Sequence, residues 1–247
     1  MQTSYRDHLQ QVSGADENTF AAAAVYYRAE LQALLPAARD ARIVEVGCGF
    51  GHLLRFLAER GYRDLCGVDL DPDLAAATAQ RLAGRATVHC ADARAFLAAH
   101  EGRFDLVLAY DIVEHFDLDG ALAFATAARR ALRPGGRAVF RTPNMANVLG
   151  CYSRYMDLTH RIGFTEQSAR QLLLAAGFAD MAVVAAQHEP GPLRDGIAAS
   201  RALHEQLFAQ QDRSRPTCFD KNLVVAAGVP VAGAPRSGVA AATGARA

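Results

Sequence analysis

The sequence lacks an excess of charge of either sign. Its 26 lysines and arginines are balanced by 26 aspartates and glutamates, so the formal net charge of the 247-residue chain is zero. A protein that binds a nucleic-acid backbone needs a positive field, because the phosphates dominate the binding energy. The composition therefore disfavours a nucleic-acid partner and favours a small or locally neutral substrate.

Paired cysteines are lacking as well. The five cysteines are scattered and form no C-x-x-C pair: Cys48, Cys66, Cys90, Cys151 and Cys218. An odd number of dispersed cysteines disfavours a disulfide framework. Such a pattern indicates reduced thiols, which are typical of the cytosol.

Long apolar runs are also absent. No apolar stretch reaches the roughly 18 residues that a membrane helix requires, and residues 1–8 are polar, without an apolar signal core. We therefore expect a soluble, cytoplasmic protein without a membrane span. The chain is long enough for one domain with a full core. We expect a loose segment at residues 1–17, a domain at residues 18–228 and a disordered tail at residues 229–247.

What the sequence does contain is a glycine-rich stretch behind a short apolar strand. Residues 43–46 predict a buried strand, Gly47, Gly49 and Gly51 allow a tight turn, and residues 52–60 continue as a helix. The N–H groups and the positive dipole at the start of such a helix favour an anionic group of a ligand. The stretch therefore predicts a cofactor loop.

The spacing of the glycines distinguishes between two kinds of cofactor. The dinucleotide fingerprint G-x-G-x-x-G requires its third glycine at position 52, where this chain has His52. The pattern is instead G-x-G-x-G, and the acidic Glu45 stands two residues before Gly47. This spacing disfavours a nicotinamide dinucleotide, so a nicotinamide oxidoreductase is the weaker alternative.

A second acidic residue follows the next predicted strand. Asp69 directly follows the strand predicted at residues 65–68. Open α/β sheets bind ligands at the carboxyl ends of their strands. Together, residues 44–54 and 67–72 resemble motif I and the acidic motif of the class I S-adenosylmethionine (SAM) dependent methyltransferases. The resemblance implies SAM as the cofactor and these cofactor-binding residues: Glu45, Gly47, Cys48, Gly49, Gly51, Asp69, Leu70, Asp92, Ala93 and Tyr110.

Several of these positions keep a structural alternative. Cys48 fits better as a small residue packed under the loop than as a nucleophile. Asp92 stands where the family uses an acid to bind the adenine amino group, but it is equally suited to cap the following helix. Tyr26 and Tyr27 lie on a helix predicted over residues 18–35, where they either cover the cofactor or pack in the core.

Strands and helices alternate along the rest of the chain. This order predicts an α/β fold, doubly wound, with a mostly parallel seven-stranded sheet and helices on both faces. The resemblance covers roughly residues 20–228 and implies a Rossmann-like methyltransferase fold whose last strand is antiparallel. We expect the fifth strand at residues 137–141 and the sixth at residues 181–187. The long connection at residues 142–164 is expected to be functional.

Two histidines are candidates for a catalytic base. A hydroxyl acceptor must lose its proton at or before methyl transfer, and histidine titrates near neutral pH. His115 follows the fourth predicted strand, and His160 lies in the long connection. Each is as readily explained as a structural histidine. Between the two we favour His160, because its loop can close over a bound substrate.

Local resemblances point to two kinds of acceptor. Residues 111–115 match a branch that includes the ubiquinone-pathway O-methyltransferases, whereas residues 142–144 and 157–160 resemble enzymes of sugar and surface-glycan methylation. The sequence thus predicts methyl transfer to a hydroxyl oxygen of a small molecule or sugar. The alternatives are a metal-dependent O-methyltransferase of a quinone- or phenol-type acceptor and a non-catalytic SAM-binding or partner-binding protein.

The segment after the fourth strand also carries a candidate metal site. Asp111, Glu114 and His115 are spaced to share one face of a helical turn. The spacing resembles the acid-x-x-acid-His magnesium site of the ubiquinone-pathway enzymes, with Asp111 in place of a glutamate. The shorter side chain matters because Mg²⁺ demands near-ideal octahedral geometry. The sequence leaves two mechanisms open, a bound Mg²⁺ and a histidine base without a metal.

Overall fold

The computed structural model describes residues 14–210 and 216–230, which form a seven-stranded sheet with helices on both faces. The strands are β1 (Arg42–Val46), β2 (Asp64–Asp69), β3 (Thr87–Cys90), β4 (Phe104–Tyr110), β5 (Leu132–Pro143), β6 (Ala179–Val183) and β7 (Asn222–Gly228). The α-helices are α1 (Glu17–Leu31), α2 (His52–Glu59), α3 (Pro72–Arg81), α4 (Ala93–Ala99), α5 (Leu118–Ala131), α6 (Gly150–Tyr155), α7 (Glu166–Ala175) and α8 (Pro192–Gln210). A short 3-10 helix, Val113–His115, follows β4.

The order of the strands in the sheet is β3-β2-β1-β4-β5-β7-β6. Strands β1 to β5 run parallel, whereas β7 pairs antiparallel with both β5 and β6. The prediction of a mostly parallel sheet with an antiparallel last strand is confirmed. The chain order reverses between β1 and β4, and a ligand crevice forms at such a point, outside the carboxyl ends of the strands.

Both faces of the sheet are covered, which accounts for the apolar character of its strands. Val44 and Val46 pack into a core on the side of α4, α5 and α7, whereas Ile43 packs into a second core with α1 and α2. Successive side chains of a strand point to opposite faces, so β1 contributes to both cores. Within the described ranges, no helix has the length and apolar character that crossing a membrane requires.

The first helix differs from the prediction at both ends. It spans Glu17–Leu31 rather than residues 18–35. It begins earlier because the carboxylate of Asp16 caps it, accepting a hydrogen bond from the Thr19 N–H at 3.0 Å. It ends earlier than predicted, at Leu31, and the following residues form a turn in which the Leu34 N–H donates to the Leu31 carbonyl at 2.7 Å.

The predicted loose segment and disordered tail lie mostly outside the described residues. Residues 1–13 and 231–247 are not among them. Of the parts that are described, Glu17 forms hydrogen bonds with Arg55 through both carboxylate oxygens, at 2.6 and 2.9 Å. The N–H of Val229 donates to a β5 carbonyl at 3.0 Å. Residues near both ends of the described range are thus bonded to the domain.

Strand β5 is longer than the predicted residues 137–141, because its pairing with β4 continues through a bulge. Phe104 pairs with Leu132, and the next pair joins Leu106 to Arg137. The chain thus advances two residues in β4 and five in β5. The proline–glycine stretch at residues 134–136 is contained in this bulge. Strand β6 is shorter than predicted and ends at Val183 rather than residue 187.

The long connection after β5 is an ordered structure. It contains α6, and Asn144 at its start forms an isolated bridge with Phe164 at its end. The buried side chain of Asn144 donates to the carbonyls of Cys218 and Asp220, at 3.0 and 3.1 Å. These bonds fix the start of the connection, and the bridge to Phe164 brings its end beside its start.

Candidate active site

The glycine loop has the geometry that the sequence predicts. Gly47, Gly49 and Gly51 have left-handed backbone, with φ values of 72°, 47° and 73°. Glycine adopts this conformation without the strain that a Cβ causes. At Gly51 a Cβ would also lie 2.6 Å from Cγ2 of Thr78, so the position has no room for a side chain. The loop leads directly into α2.

Asp69 is bonded to this loop. Its Oδ2 accepts from the Gly49 N–H at 2.8 Å, and its Oδ1 accepts from the Asp71 N–H at 3.0 Å. Burial raises the pKa of Asp69, and the two N–H groups oppose that rise. A carboxylate offers about four lone-pair sites, so Asp69 can still accept hydrogen bonds from a pair of ribose hydroxyls.

The loop and Asp69 line a cavity of about 420 Å³. This volume is in the range of small-molecule sites. Nine of the ten predicted cofactor-binding residues line it: Glu45, Gly47, Cys48, Gly49, Asp69, Leu70, Asp92, Ala93 and Tyr110. The tenth, Gly51, is not part of the described lining and acts by shaping the loop.

The positions with structural alternatives can now be placed. Asp92 caps α4, where its Oδ1 accepts from two backbone N–H groups at 3.0 Å, and it also lines the cavity. Cys48 is 4% exposed, and burial raises the pKa of its thiol, which fits the packing interpretation. Of the two tyrosines of α1, Tyr27 belongs to the described lining and Tyr26 does not.

Asp111 begins the turn after β4 in a conformation that is rare for residues with a side chain. Its φ is 52°, and its N–H donates to the Arg141 carbonyl at 2.9 Å. Its carboxylate accepts from the Arg141 guanidinium, from Nε at 3.2 Å and also from Nη2. Both residues line the cavity. Asp111 is thus engaged with β5 rather than with the turn that contains Glu114 and His115.

Arg141 was not among the predicted site residues. Its contact with Asp111 depends on the pairing of β4 with β5, which joins residues 30 positions apart in the chain. The sequence offered one indication, a charged residue at the end of the apolar strand predicted over residues 137–141. At that position it lies at the carboxyl edge of the sheet, where ligands bind.

Glu114 is buried in the 3-10 helix after β4. It is 1% exposed, and among the described residues neither of its carboxylate oxygens has a hydrogen-bond partner. Burial and then the charge of Asp111 raise the pKa of Glu114 well above its usual value. Its backbone carbonyl accepts from the N–H groups of Arg161 and Ile162, at 2.8 and 3.2 Å. These bonds attach the long connection to this turn.

His115 and His160 lie side by side, with ring centroids 4.9 Å apart. Nδ1 of His115 is 2.8 Å from the Thr159 hydroxyl, which donates to Asp157 at 2.7 Å. Because that hydroxyl has one proton, it accepts from His115, and Nε2 of His115 carries the lone pair. Nδ1 of His160 is 3.1 Å from the Ser153 carbonyl, which can only accept, so His160 has the same tautomer.

The structure places the predicted base and metal residues differently from the sequence interpretation. Ligating atoms of Glu114, His115 and His160 lie within 4.8 Å of one another, and Asp111 does not belong to this group. Of the two histidines, the described lining of the cavity includes only His115. Burial and then His160 lower the pKa of His115, which favours its neutral form. His115 is thus the histidine positioned to contact a ligand.

The strand order and the glycine loop are those of the Rossmann-like methyltransferase fold. The structure is similar to that of a SAM-dependent methyltransferase from Archaeoglobus fulgidus, with a TM-score of 0.64 and 19% identity, over 91% of this chain and 99% of that one. Residues 19–183 match the family described as methyltransferase domain. The chain belongs to this family, within the class of SAM-dependent methyltransferases.

Two curated relatives match part of the chain. The ubiquinone biosynthesis O-methyltransferase of Aromatoleum aromaticum is 33% identical over 106 residues, which are 42% of this chain and 44% of that protein. The chloroplastic tocopherol O-methyltransferase of Arabidopsis thaliana is 36% identical over 110 residues, 41% of this chain and 30% of that protein. The matches span less than half the length of either relative.

Proposed function

We propose that the protein transfers the methyl group of SAM to a hydroxyl oxygen of a small molecule, with His115 as the base. The observation that carries the proposal is a single cavity that is lined both by the cofactor loop with Asp69 and by His115. A cofactor at Asp69 and an acceptor at His115 would share this space. Methyl transfer requires that proximity, because the two reacting atoms must be held in line.

The relatives support an acceptor with a phenolic hydroxyl. They are named for ubiquinone biosynthesis and for tocopherol, which is a phenol. A ring-shaped acceptor also fits the cavity wall, to which Tyr27, Tyr110 and Phe116 contribute aromatic surface. The sugar or glycan acceptor that residues 142–144 and 157–160 suggested stays a prediction.

The mechanism assigns proton removal to His115. When bound, SAM supplies an electrophilic methyl group on a sulfonium. The Thr159 hydroxyl accepts from Nδ1–H of His115, so Nε2 is the ring nitrogen that would take the proton of the acceptor hydroxyl. The charge of Asp157 favours the protonated ring that results. His115 thus combines a neutral resting state with a fixed orientation.

His160 receives a supporting role in this proposal, although the sequence favoured it as the base. Its ring packs edge-on against His115, and its Nδ1–H is directed to Ser153 of α6. We assign His160 to holding the His115 ring in place. The reason is position, since His115 rather than His160 belongs to the described wall of the cavity.

The residues at this turn do not fit Mg²⁺. Asp111, the first predicted ligand, is held by Arg141. The group that does converge offers two imidazoles and one carboxylate, from His115, His160 and Glu114. Mg²⁺ prefers oxygen ligands, whereas imidazole suits zinc and other transition metals. The proposed mechanism therefore uses no step through Mg²⁺.

The proposal is tested first by binding. We expect calorimetric titration to show saturable binding of S-adenosylhomocysteine (SAH) and no binding of NADH. Binding of NADH without SAH would contradict the proposal. Incubation of the same protein with SAM and a series of phenols and catechols then tests the catalytic part, with SAH release as the measurement. The non-catalytic alternative predicts SAH binding without acceptor-dependent SAH release.

A further inference from the structure

Acidic side chains outnumber basic ones in the lining of the cavity. The carboxylates of the lining come from Glu45, Asp69, Asp71, Asp92 and Asp111. Among the described lining residues, Arg141 is the sole arginine or lysine. A ligand with a negatively charged group would meet repulsion along most of this wall. Arg141 is thus the positively charged side chain of the described lining that can bind an anionic group directly.

Arg141 is held rigidly at the wall. Its side chain is 14% exposed, and its guanidinium carbon lies 4.4 Å from the centroid of the Tyr110 ring. Three of its N–H groups are engaged, Nε and Nη2 with Asp111 and Nη1 with Glu30 at 3.4 Å. A guanidinium has five such donors, so two are left for a ligand.

The order of the strands places Arg141 opposite the ribose-binding carboxylate. Asp69 ends β2, the glycine loop follows β1, Tyr110 ends β4, and Arg141 lies in β5 beside Tyr110. Neighbouring strands are about 4.8 Å apart, so β2 and β5 are separated by about 14 Å. If the ribose of SAM is bound at Asp69, the strands β1, β4 and β5 would be the ones within reach of its amino-acid end.

Glu45 of β1 offers a hydrogen-bond acceptor between these two ends. The residue lines the cavity, and its Oε2 is buried without a hydrogen-bond partner in the described part of the chain. An α-amino acid carries an ammonium and a carboxylate two bonds apart. A wall with one carboxyl group as acceptor and one guanidinium as donor matches these two groups.

We propose that Arg141 binds the carboxylate of the amino-acid end of SAM, while Glu45 accepts from its ammonium. The assignment rests on the proposed function and adds a residue for the cofactor that the glycine loop and Asp69 do not provide. The Arg141–Asp111 ion pair preorganises the guanidinium for this contact, because it fixes a long side chain before the ligand arrives.

The experiment compares two ligands that differ only in the carboxylate. Calorimetry measures the affinity of SAH and of its decarboxylated analogue, S-adenosyl-3-thiopropylamine. We expect the wild type to bind SAH at least tenfold more tightly than the analogue. Arg141→Met should weaken SAH binding at least tenfold and change binding of the analogue by less than twofold. Arg141→Lys, which keeps the charge but not the planar fork, should lie between.

Arg137→Met is the matched control, because Arg137 is an exposed arginine of the same strand outside the described lining. It should leave both affinities unchanged. Equal losses for the two ligands in Arg141→Met, or no loss for SAH, would overturn the assignment while the proposed function stands. If Arg141→Met does not fold, two results still test the assignment: the preference of the wild type for SAH over the analogue, and the weaker SAH binding of Arg141→Lys. If the wild type binds neither ligand, the proposed function fails together with this inference.

Discussion

The hydroxyl of Thr159 accepts a hydrogen bond from Nδ1 of His115 at 2.8 Å. The two residues are 44 positions apart in the chain, and they meet because the long connection returns to the turn after β4. The bond determines which ring nitrogen of His115 carries the proton and which accepts one. The proposed base His115 is therefore oriented by Thr159, a residue of the long connection.

The first prediction concerns that base. His115→Ala should lower kcat by about a hundredfold or more, since proton transfer to a positioned group contributes that much. SAH affinity should stay within twofold, because the cofactor loop is unchanged. Thr159→Val should cause a smaller loss, since it removes only the bond that orients His115. His89→Ala, at an exposed histidine of β3, is the control and should be fully active.

The pH dependence of the wild type checks the same prediction. Burial lowers the pKa of His115 from its usual 6.5, and a base must be neutral to act. The ratio kcat/KM should therefore be high at neutral pH and fall as the pH decreases through a value below 6.5. The fall should be lost in His115→Ala. An acidic limb unchanged in this variant would mean that another group titrates.

The second prediction concerns the cofactor end of the cavity. Asp69→Asn should weaken SAH binding by roughly 1.5–3 kcal/mol, the contribution of a hydrogen bond to a charged group. Calorimetry measures the loss. Asp64→Asn, on the same strand but paired with Arg42 at the surface, is the control and should bind as the wild type does. Equal affinity of Asp69→Asn and the wild type would remove Asp69 from the cofactor site.

The third prediction concerns the metal. Because Asp111 is bonded to Arg141 and the remaining donors do not suit Mg²⁺, dialysis against a chelator should leave the rate of methyl transfer unchanged. Added Mg²⁺ should have no effect. A loss of activity that Mg²⁺ restores would contradict this account, whereas restoration by zinc alone would indicate a site formed by Glu114, His115 and His160.

The fourth prediction concerns the stability of the loop. Gly49 and Gly51 both have left-handed backbone, but a Cβ at Gly49 would meet nothing within 4 Å, whereas one at Gly51 would lie 2.6 Å from Thr78. Gly51→Ala should therefore lower the free energy of unfolding by roughly 1–3 kcal/mol more than Gly49→Ala, the usual cost of overpacking. Denaturant titration gives both values. Equal losses would contradict the prediction, because they would show that Thr78 moves away from the added Cβ at little cost.

The glycine loop and the position of Asp69 beside it are the features of the candidate site that the sequence predicted best. Gly47 and Gly49 lie between the end of β1 and the start of α2, and Asp69 lies at the end of β2. Local patterns of glycine and apolar residues predict these strand ends and this helix start. Their contacts then follow from the parallel pairing of β1 with β2. The class of fold was predictable for the same reason, because alternating strands and helices have few ways to pack.

The acceptor end was predictable only in part. His115 was one of two candidate bases, but its contacts with Thr159 and His160 depend on the path of a connection that has no periodic pattern. The metal interpretation assumed a helical turn, and Asp111 instead has a left-handed φ that joins it to Arg141. Pairing between β4 and β5 decides that contact, and spacing along the sequence does not reveal it.

The central claim is that one cavity holds the cofactor at Asp69 and the methyl acceptor at His115. Transfer of an isotopically labelled methyl group from SAM to a series of phenols, catechols and sugars tests it most directly, with the position of the label in the product determined by NMR. We predict a label on oxygen, formed in equal amount with SAH, at a rate that falls about a hundredfold or more in His115→Ala. A label on nitrogen or carbon, or an unchanged rate in His115→Ala, would contradict the account.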